Sequence, residues 1–121
     1  MTEQKLAPTD IKLRQKSRVL DVSFNDGKTF ELSCEYLRCF SPSAEVRGHA
    51  PGQEVLQFGK ENVNIKQIEP VGSYAVVLHF DDEHSTGIYT WPYLYELGVN
   101  QEKNWQSYLG KLEEAGRERK V

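Results

Sequence analysis

The sequence predicts an α+β fold: a single small domain on a mostly antiparallel β-sheet, with a short helix after the first hairpin and two C-terminal helices. Three observations predict it. Near the start, apolar residues alternate with polar ones on either side of a glycine turn, the period of half-buried strands. In the middle, one extended run carries apolar side chains on both faces, as a central strand requires. The last third holds helix caps followed by a stripe at i, i+3, i+4 and i+7. Strands, a short helix, strands and then helices suit an α+β domain.

Taken in order, residues 1–9 are polar, contain Pro8 and predict a loose tail. The domain is expected over residues 10–114, followed by a charged tail over 115–121. Residues 11–13 are a strand candidate for the first sheet. Leu20, Val22 and Phe24 alternate with polar residues, and Phe30 and Leu32 begin the partner strand. A three-residue loop ending on a left-handed Gly27 pairs Val22 with Phe30 and Leu20 with Leu32, so the apolar faces coincide. Residues 35–40 form a short helix with Tyr36, Leu37 and Phe40 as its stripe, and Ser41-Pro42-Ser43 stops it or restarts a turn. Residues 47–53 are loop, with two glycines and Pro51. Val63, Ile65 and Ile68 suggest a strand broken by Pro70 and Gly72. Residues 74–80 are the central-strand candidate, 81–86 a polar turn, and Ile88-Tyr89 a short returning strand. Thr90 caps a helix opening on Trp91-Pro92 and ending at Gly98. Asn100 caps the last helix, whose Trp105, Tyr108, Leu109 and Leu112 are expected to dock on the sheet; beyond it the charged end is expected to fray.

A chain of 121 residues suffices for one hydrophobic core. With 38% hydrophobic and 27% charged residues it has the make-up of a soluble domain. No apolar run approaches the roughly 18 residues of a membrane-spanning helix, so no membrane association is expected. The N-terminus lacks the basic start and apolar stretch of a secretory signal, which points to the cytoplasm. A net charge of −3 argues against nucleic acid as a partner. The basic run over residues 12–18 is accounted for by an edge strand defended with charge. Cys34 and Cys39 allow at most one intramolecular disulfide, and cytosolic thiols stay reduced.

Two segments carry the most information: residues 35–49, EYLRCFSPSAEVRGH, and residues 80–98, FDDEHSTGIYTWPYLYELG. They resemble the gamma-butyrobetaine hydroxylase-like N-terminal domain family (DUF971), which occurs alone in bacteria, at the N-terminus of carnitine-pathway dioxygenases, and fused to P-loop iron–sulfur scaffold proteins. The resemblance covers residues 11–112. In the dioxygenase-type domain it implies a structural zinc held by three cysteines and a histidine. Laid on Leu37-Arg38, the cysteine positions fall at Ser41, Ser43 and Val46, and the histidine at His84. One ligand of four does not hold zinc.

Cys34, Cys39, His49 and His84 would together be a chemically competent zinc or iron set. Against it, the cysteines are five apart on a helix, facing different ways, and lack the usual knuckle spacing. Asp81, Asp82, Glu83 and His84 form the densest polar cluster. Carboxylates beside a histidine suit acid–base work, but an Asp-Asp turn is more simply a hairpin capped by its own side chains. Arg38, Arg47 and His49 flank the Ser41–Ser43 loop. They could form an anion or acidic-peptide site, or lock the two segments together by pairing with Glu35, Glu45 or the 81–83 turn; the docking of the segments in the family favours pairing. Trp91 and Tyr95 are candidate contact aromatics if exposed. A site for a trimethylammonium small molecule would need an aromatic cage, for which Trp91 and Trp105 are the reporters.

What the resemblance implies about activity is a domain that accompanies catalysis without supplying it. The expectation is therefore a non-enzymatic adaptor without a cofactor, a monomer or weak homodimer with protein partners, possible components of iron–sulfur assembly among them. Metal binding and small-molecule binding are the alternatives.

Overall fold

The computed structural model describes residues 5–47 and 55–119, with backbone alone at residues 44 and 45. Among the described residues six strands and four helices follow in order: β1 Pro8–Arg14, β2 Val19–Phe24, β3 Thr29–Ser33, α1 Cys34–Cys39, α2 Ala44–Arg47, β4 Ile65–Val71, β5 Ala75–Phe80, β6 Ile88–Thr90, α3 Trp91–Val99 and α4 Gln101–Glu114. All strand pairings are antiparallel. They divide between two three-stranded sheets, β1-β2-β3 and β4-β5-β6.

The first hairpin has the expected register, Val22 opposite Phe30 and Leu20 opposite Leu32. Its three-residue loop closes with Phe24 N–H donating to the Lys28 carbonyl at 2.8 Å. Gly27 has φ +87°, a conformation in which a side chain is strained. Leu20, Val22 and Phe24 are all but fully buried, each stabilising the fold by about 1.5–3 kcal/mol. Across the β1–β2–β3 face, Arg14 forks onto Asp21 at 2.9 and 3.0 Å and reaches Glu31 at 3.3 Å.

Several expectations are corrected. Among the described residues the tail ends before residue 9: Asn25 holds the carbonyls of Lys5 and Ala7 at 2.7 and 3.0 Å, and β1 starts at Pro8. Pro70 lies inside β4, because β4 is an edge strand and an edge tolerates a missing donor. Tyr74 lies outside β5 and is exposed. Arg47, expected in the loop, closes the single helical turn α2 that restarts after Ser43. Gly98 lies inside α3, which runs on to Val99. Asn100 stands at the start of α4 without a side-chain cap, whereas Thr90 caps α3 as expected, accepting from Tyr93 N–H at 3.3 Å.

One buried cluster joins both sheets to α1 and α3, through Leu32, Tyr36, Leu37, Ile65, Leu78, Phe80, Tyr89 and Leu94. The α4 stripe does not dock on the sheet. Tyr108 and Leu112 bury against Cys39 on α1, with Phe40, Leu56, Trp105 and Leu109 around them, as a second cluster. The charged end is also held: Arg119 forks onto Glu35 at 2.6 and 2.9 Å.

Candidate functional site

α1 has only six residues, so its unpaired backbone groups dominate it. Ser33 caps its start, accepting from Tyr36 N–H at 3.1 Å. At its other end tyrosines serve the open carbonyls: Tyr89 donates to Leu37 at 2.6 Å and Tyr93 donates to Phe40 at 2.6 Å. Burial pushes the Tyr89 phenol up, which keeps it a donor at any physiological pH. These bonds draw the 35–47 segment onto the segment from β5 to α3.

The junction so formed contains most of the buried polar side chains among the described residues: Arg38, Ser41, Ser43 and His84. Arg38 donates from Nε to Asp82 Oδ2 at 2.9 Å and from Nη1 to Gln57 Oε1 at 3.0 Å. Lys60 reaches the same carboxylate oxygen at 2.6 Å. Burial works against the Asp82 carboxylate, but Lys60 and Arg38 together outweigh it and hold its pKa below the usual range. The 81–84 turn is shaped by its own side chains: His84 N–H donates to Asp82 Oδ1 at 3.3 Å and Glu83 adopts φ +70°. Asp81 accepts from Asn64 N–H at 3.0 Å. Residues 81–83 form a turn, with Asp82 directed inward onto Arg38.

Ser41 Oγ lies 2.8 Å from His84 Nε2 and accepts from Ser43 N–H at 3.3 Å. Gly87 makes this approach possible, since a Cβ there would stand 2.4 Å from Ser41 Oγ. Ser43 Oγ is buried without a hydrogen-bond partner among the described residues. Ser41, Ser43, Val46 and His84, the positions matched to the zinc ligands, are thus all buried, and Ser41 and His84 touch. A hydroxyl pair, an isopropyl group and one imidazole do not fit zinc, which takes four Cys, His or carboxylate donors.

The two cysteines of the alternative metal set lie in different clusters. Cys34 belongs to the main core and Cys39 to the cluster under α4, and burial raises both thiols to about 11. Among the described residues, no three Cys, His, Asp or Glu side chains converge as a metal site. His49 lies outside the described residues.

The described members of the proposed interaction set each have contacts of their own. Arg38 is buried in its ion pair and cannot meet an external anion, while Arg47 is exposed, 4.7 Å above the Tyr93 ring. Trp91 is half-buried and donates to the Ser73 carbonyl at 2.7 Å. Tyr95 packs edge-on to Phe24 and Phe30 and donates to Asp26 at 2.6 Å. Trp105 lies among Tyr36, Tyr108 and Arg119. Sequence reasoning missed Gln57, Lys60, Gly87 and Arg119. Only Gly87 had a visible signal, a glycine inside a shared motif.

A family model described as gamma-butyrobetaine hydroxylase-like, N-terminal, matches residues 11–95. A protein structure determined in solution by NMR is similar at 52% identity, covering 98% of this chain and 90% of the other, with a TM-score of 0.81. A second NMR structure is similar at 43% identity over 93% and 89%, also with a TM-score of 0.81. A crystal structure of a protein of unknown function of the DUF971 family from Acidithiobacillus ferrooxidans is 42% identical over 75% and 91%, with a TM-score of 0.64. No curated protein matches the chain.

Proposed function

The chain belongs to the gamma-butyrobetaine hydroxylase-like N-terminal family, and from that premise we propose that it is a non-catalytic adaptor that works by binding protein partners. The observation that carries this reading is the engagement of the motif side chains with one another. Arg38, Asp82 and Lys60 form one ion-paired group, and Ser41 is bonded to His84 beneath the surface. General acid–base or nucleophilic chemistry needs such groups within reach of a substrate; here they hold two segments of chain together. The junction leaves Arg47, Val55 and Phe58 exposed around it, a mixture of cation and apolar surface suited to protein contact.

The resemblance to domains fused to iron–sulfur scaffolds supports such a scaffold as the first partner to try. Capture from native cytosol on an N-terminally tagged chain, followed by reconstitution of each enriched protein with the purified chain, tests the reading. A complex with a Kd of about 10 μM or tighter is expected. Failure of every enriched protein to rebind would overturn it. Metal analysis of untagged protein adds a second check, since stoichiometric zinc or iron would contradict an adaptor without a cofactor.

A further inference from the structure

Beyond the junction, the outer side of α1 presents a different assembly. Glu35 is a carboxylate with a side chain only 7% exposed. Arg119 meets it fork to fork, Nε to Oε2 at 2.9 Å and Nη2 to Oε1 at 2.6 Å. The same guanidinium lies 5.1 Å from the centre of the Trp105 ring. Two residues earlier, Arg117 stacks 4.1 Å over Phe58. A planar cation is therefore held by a bidentate carboxylate and an aromatic face, and a second by another ring, the pattern that suits arginine and not lysine. Glu61 adds to the negative field at Arg119. From Trp105 an open groove of about 430 Å³ continues along Ser33, Tyr36, Gln101 and Glu102, bringing a further carboxylate.

The two halves of this assembly differ in how they are held. Glu35, Trp105 and Phe58 stand on α1, α4 and the loop before β4, tied in by Tyr108 donating to the Gln57 carbonyl at 2.8 Å and by the packing of Trp105 against Tyr36. The segment bearing the arginines leaves α4 after Ala115. Its last backbone hydrogen bond among the described residues is Arg117 N–H to the Leu112 carbonyl, 2.8 Å. Beyond that point, among the described residues, the hydrogen bonds to it come from the Arg119 side chain.

We propose that Glu35, Trp105 and Phe58 form a receptor for an Arg-x-Arg segment of a partner protein, which the chain's own Arg117 and Arg119 occupy in its absence. The site gives the adaptor reading a partner chemistry and rests on that reading only for its biological use; peptide binding is tested separately from capture.

The test uses the full chain carrying Arg117→Ala with Arg119→Ala and a fluorescein-labelled peptide Gly-Arg-Glu-Arg-Lys-Val. Saturable anisotropy is expected, with affinity at least about tenfold above wild type, where the tethered segment competes. Adding Glu35→Gln, or replacing both peptide arginines by lysine, should lower that affinity by about tenfold or more. A folded double variant that binds no tighter than wild type, or binding indifferent to Glu35, overturns the proposal and leaves the arginines a structural clasp. Should the double variant not fold, the wild-type chain is titrated to millimolar peptide while the Trp105 indole N–H resonance is followed. A saturable shift with the arginine peptide alone supports the site, and no shift sinks it.

Discussion

At the scale of single residues, the junction separates two serines that stand two positions apart. Ser41 bonds to His84 and accepts from Ser43 N–H, so Ser41→Ala removes a buried partner and is expected to destabilise by about 1–2 kcal/mol. Ser43 Oγ has no partner among the described residues, so Ser43→Ala should be neutral or stabilising by up to about 1 kcal/mol. Urea unfolding of both variants checks the contrast, and equal losses would contradict it. Asp82 supplies a pH signature. Its folded pKa lies below the ordinary 3.8, so its pairing stabilises the protein above that value and the contribution is lost as pH falls through it toward the folded pKa. Asp82→Asn should cost about 2–3 kcal/mol at neutral pH, since it leaves Arg38 and Lys60 without their carboxylate. The variant should also lose less stability than wild type on acidification. Parallel losses in the two proteins would remove Asp82 from the acid response.

At the scale of elements, local preference and tertiary fit can be set against each other at Gly98. Inside a helix, alanine is favoured over glycine by roughly 1 kcal/mol. In α3, however, a Cβ at Gly98 would stand 2.4–2.6 Å from the Phe30 ring, so Gly98→Ala should destabilise by about 1–3 kcal/mol through overpacking. Thermal unfolding measures the sign, and recovery on adding Phe30→Ala would place the clash. The same residue shows what the sequence could not convey. Gly98 resembled a helix terminator because local pattern carries no information on Phe30, which arrives from the first hairpin. Where the determinants are local, the elements were legible: Gly27 set the loop and register of β2 with β3, and Thr90 with Pro92 marked the start of α3. The α4 stripe was legible as a face, but periodicity does not say against what a face packs, and its partner is Cys39 on α1. In the candidate site, Arg38 with Asp82 and Ser41 with His84 were foreseeable only because two shared motifs dock. Arg119 with Glu35, 84 positions apart, had no local trace.

At the scale of the whole molecule, the two cysteines report on the two clusters separately. Cys34 is fully buried where both sheets meet α1 and α3, and Cys39 is 8% exposed under Tyr108 and Leu112. Burial lifts both thiols from 9.0 to about 11, which cuts the thiolate fraction about a hundredfold at neutral pH. Native protein should therefore resist iodoacetamide until something opens, and what opens differs for the two. Exposing Cys34 requires separating the main core, an event close to global unfolding. Exposing Cys39 requires only that α4 and the segment carrying Arg119 lift from α1, which breaks the smaller cluster and the Glu35 clasp. Smaller cooperative units open at lower free energy than the whole. In urea below the unfolding midpoint, Cys39 should consequently be alkylated well before Cys34, as peptide mass mapping of timed samples would show. Arg119→Ala should accelerate Cys39 and leave Cys34 unchanged. Simultaneous labelling of both thiols would mean that the two clusters open as one unit, and would remove the independent lifting of α4 on which that order depends.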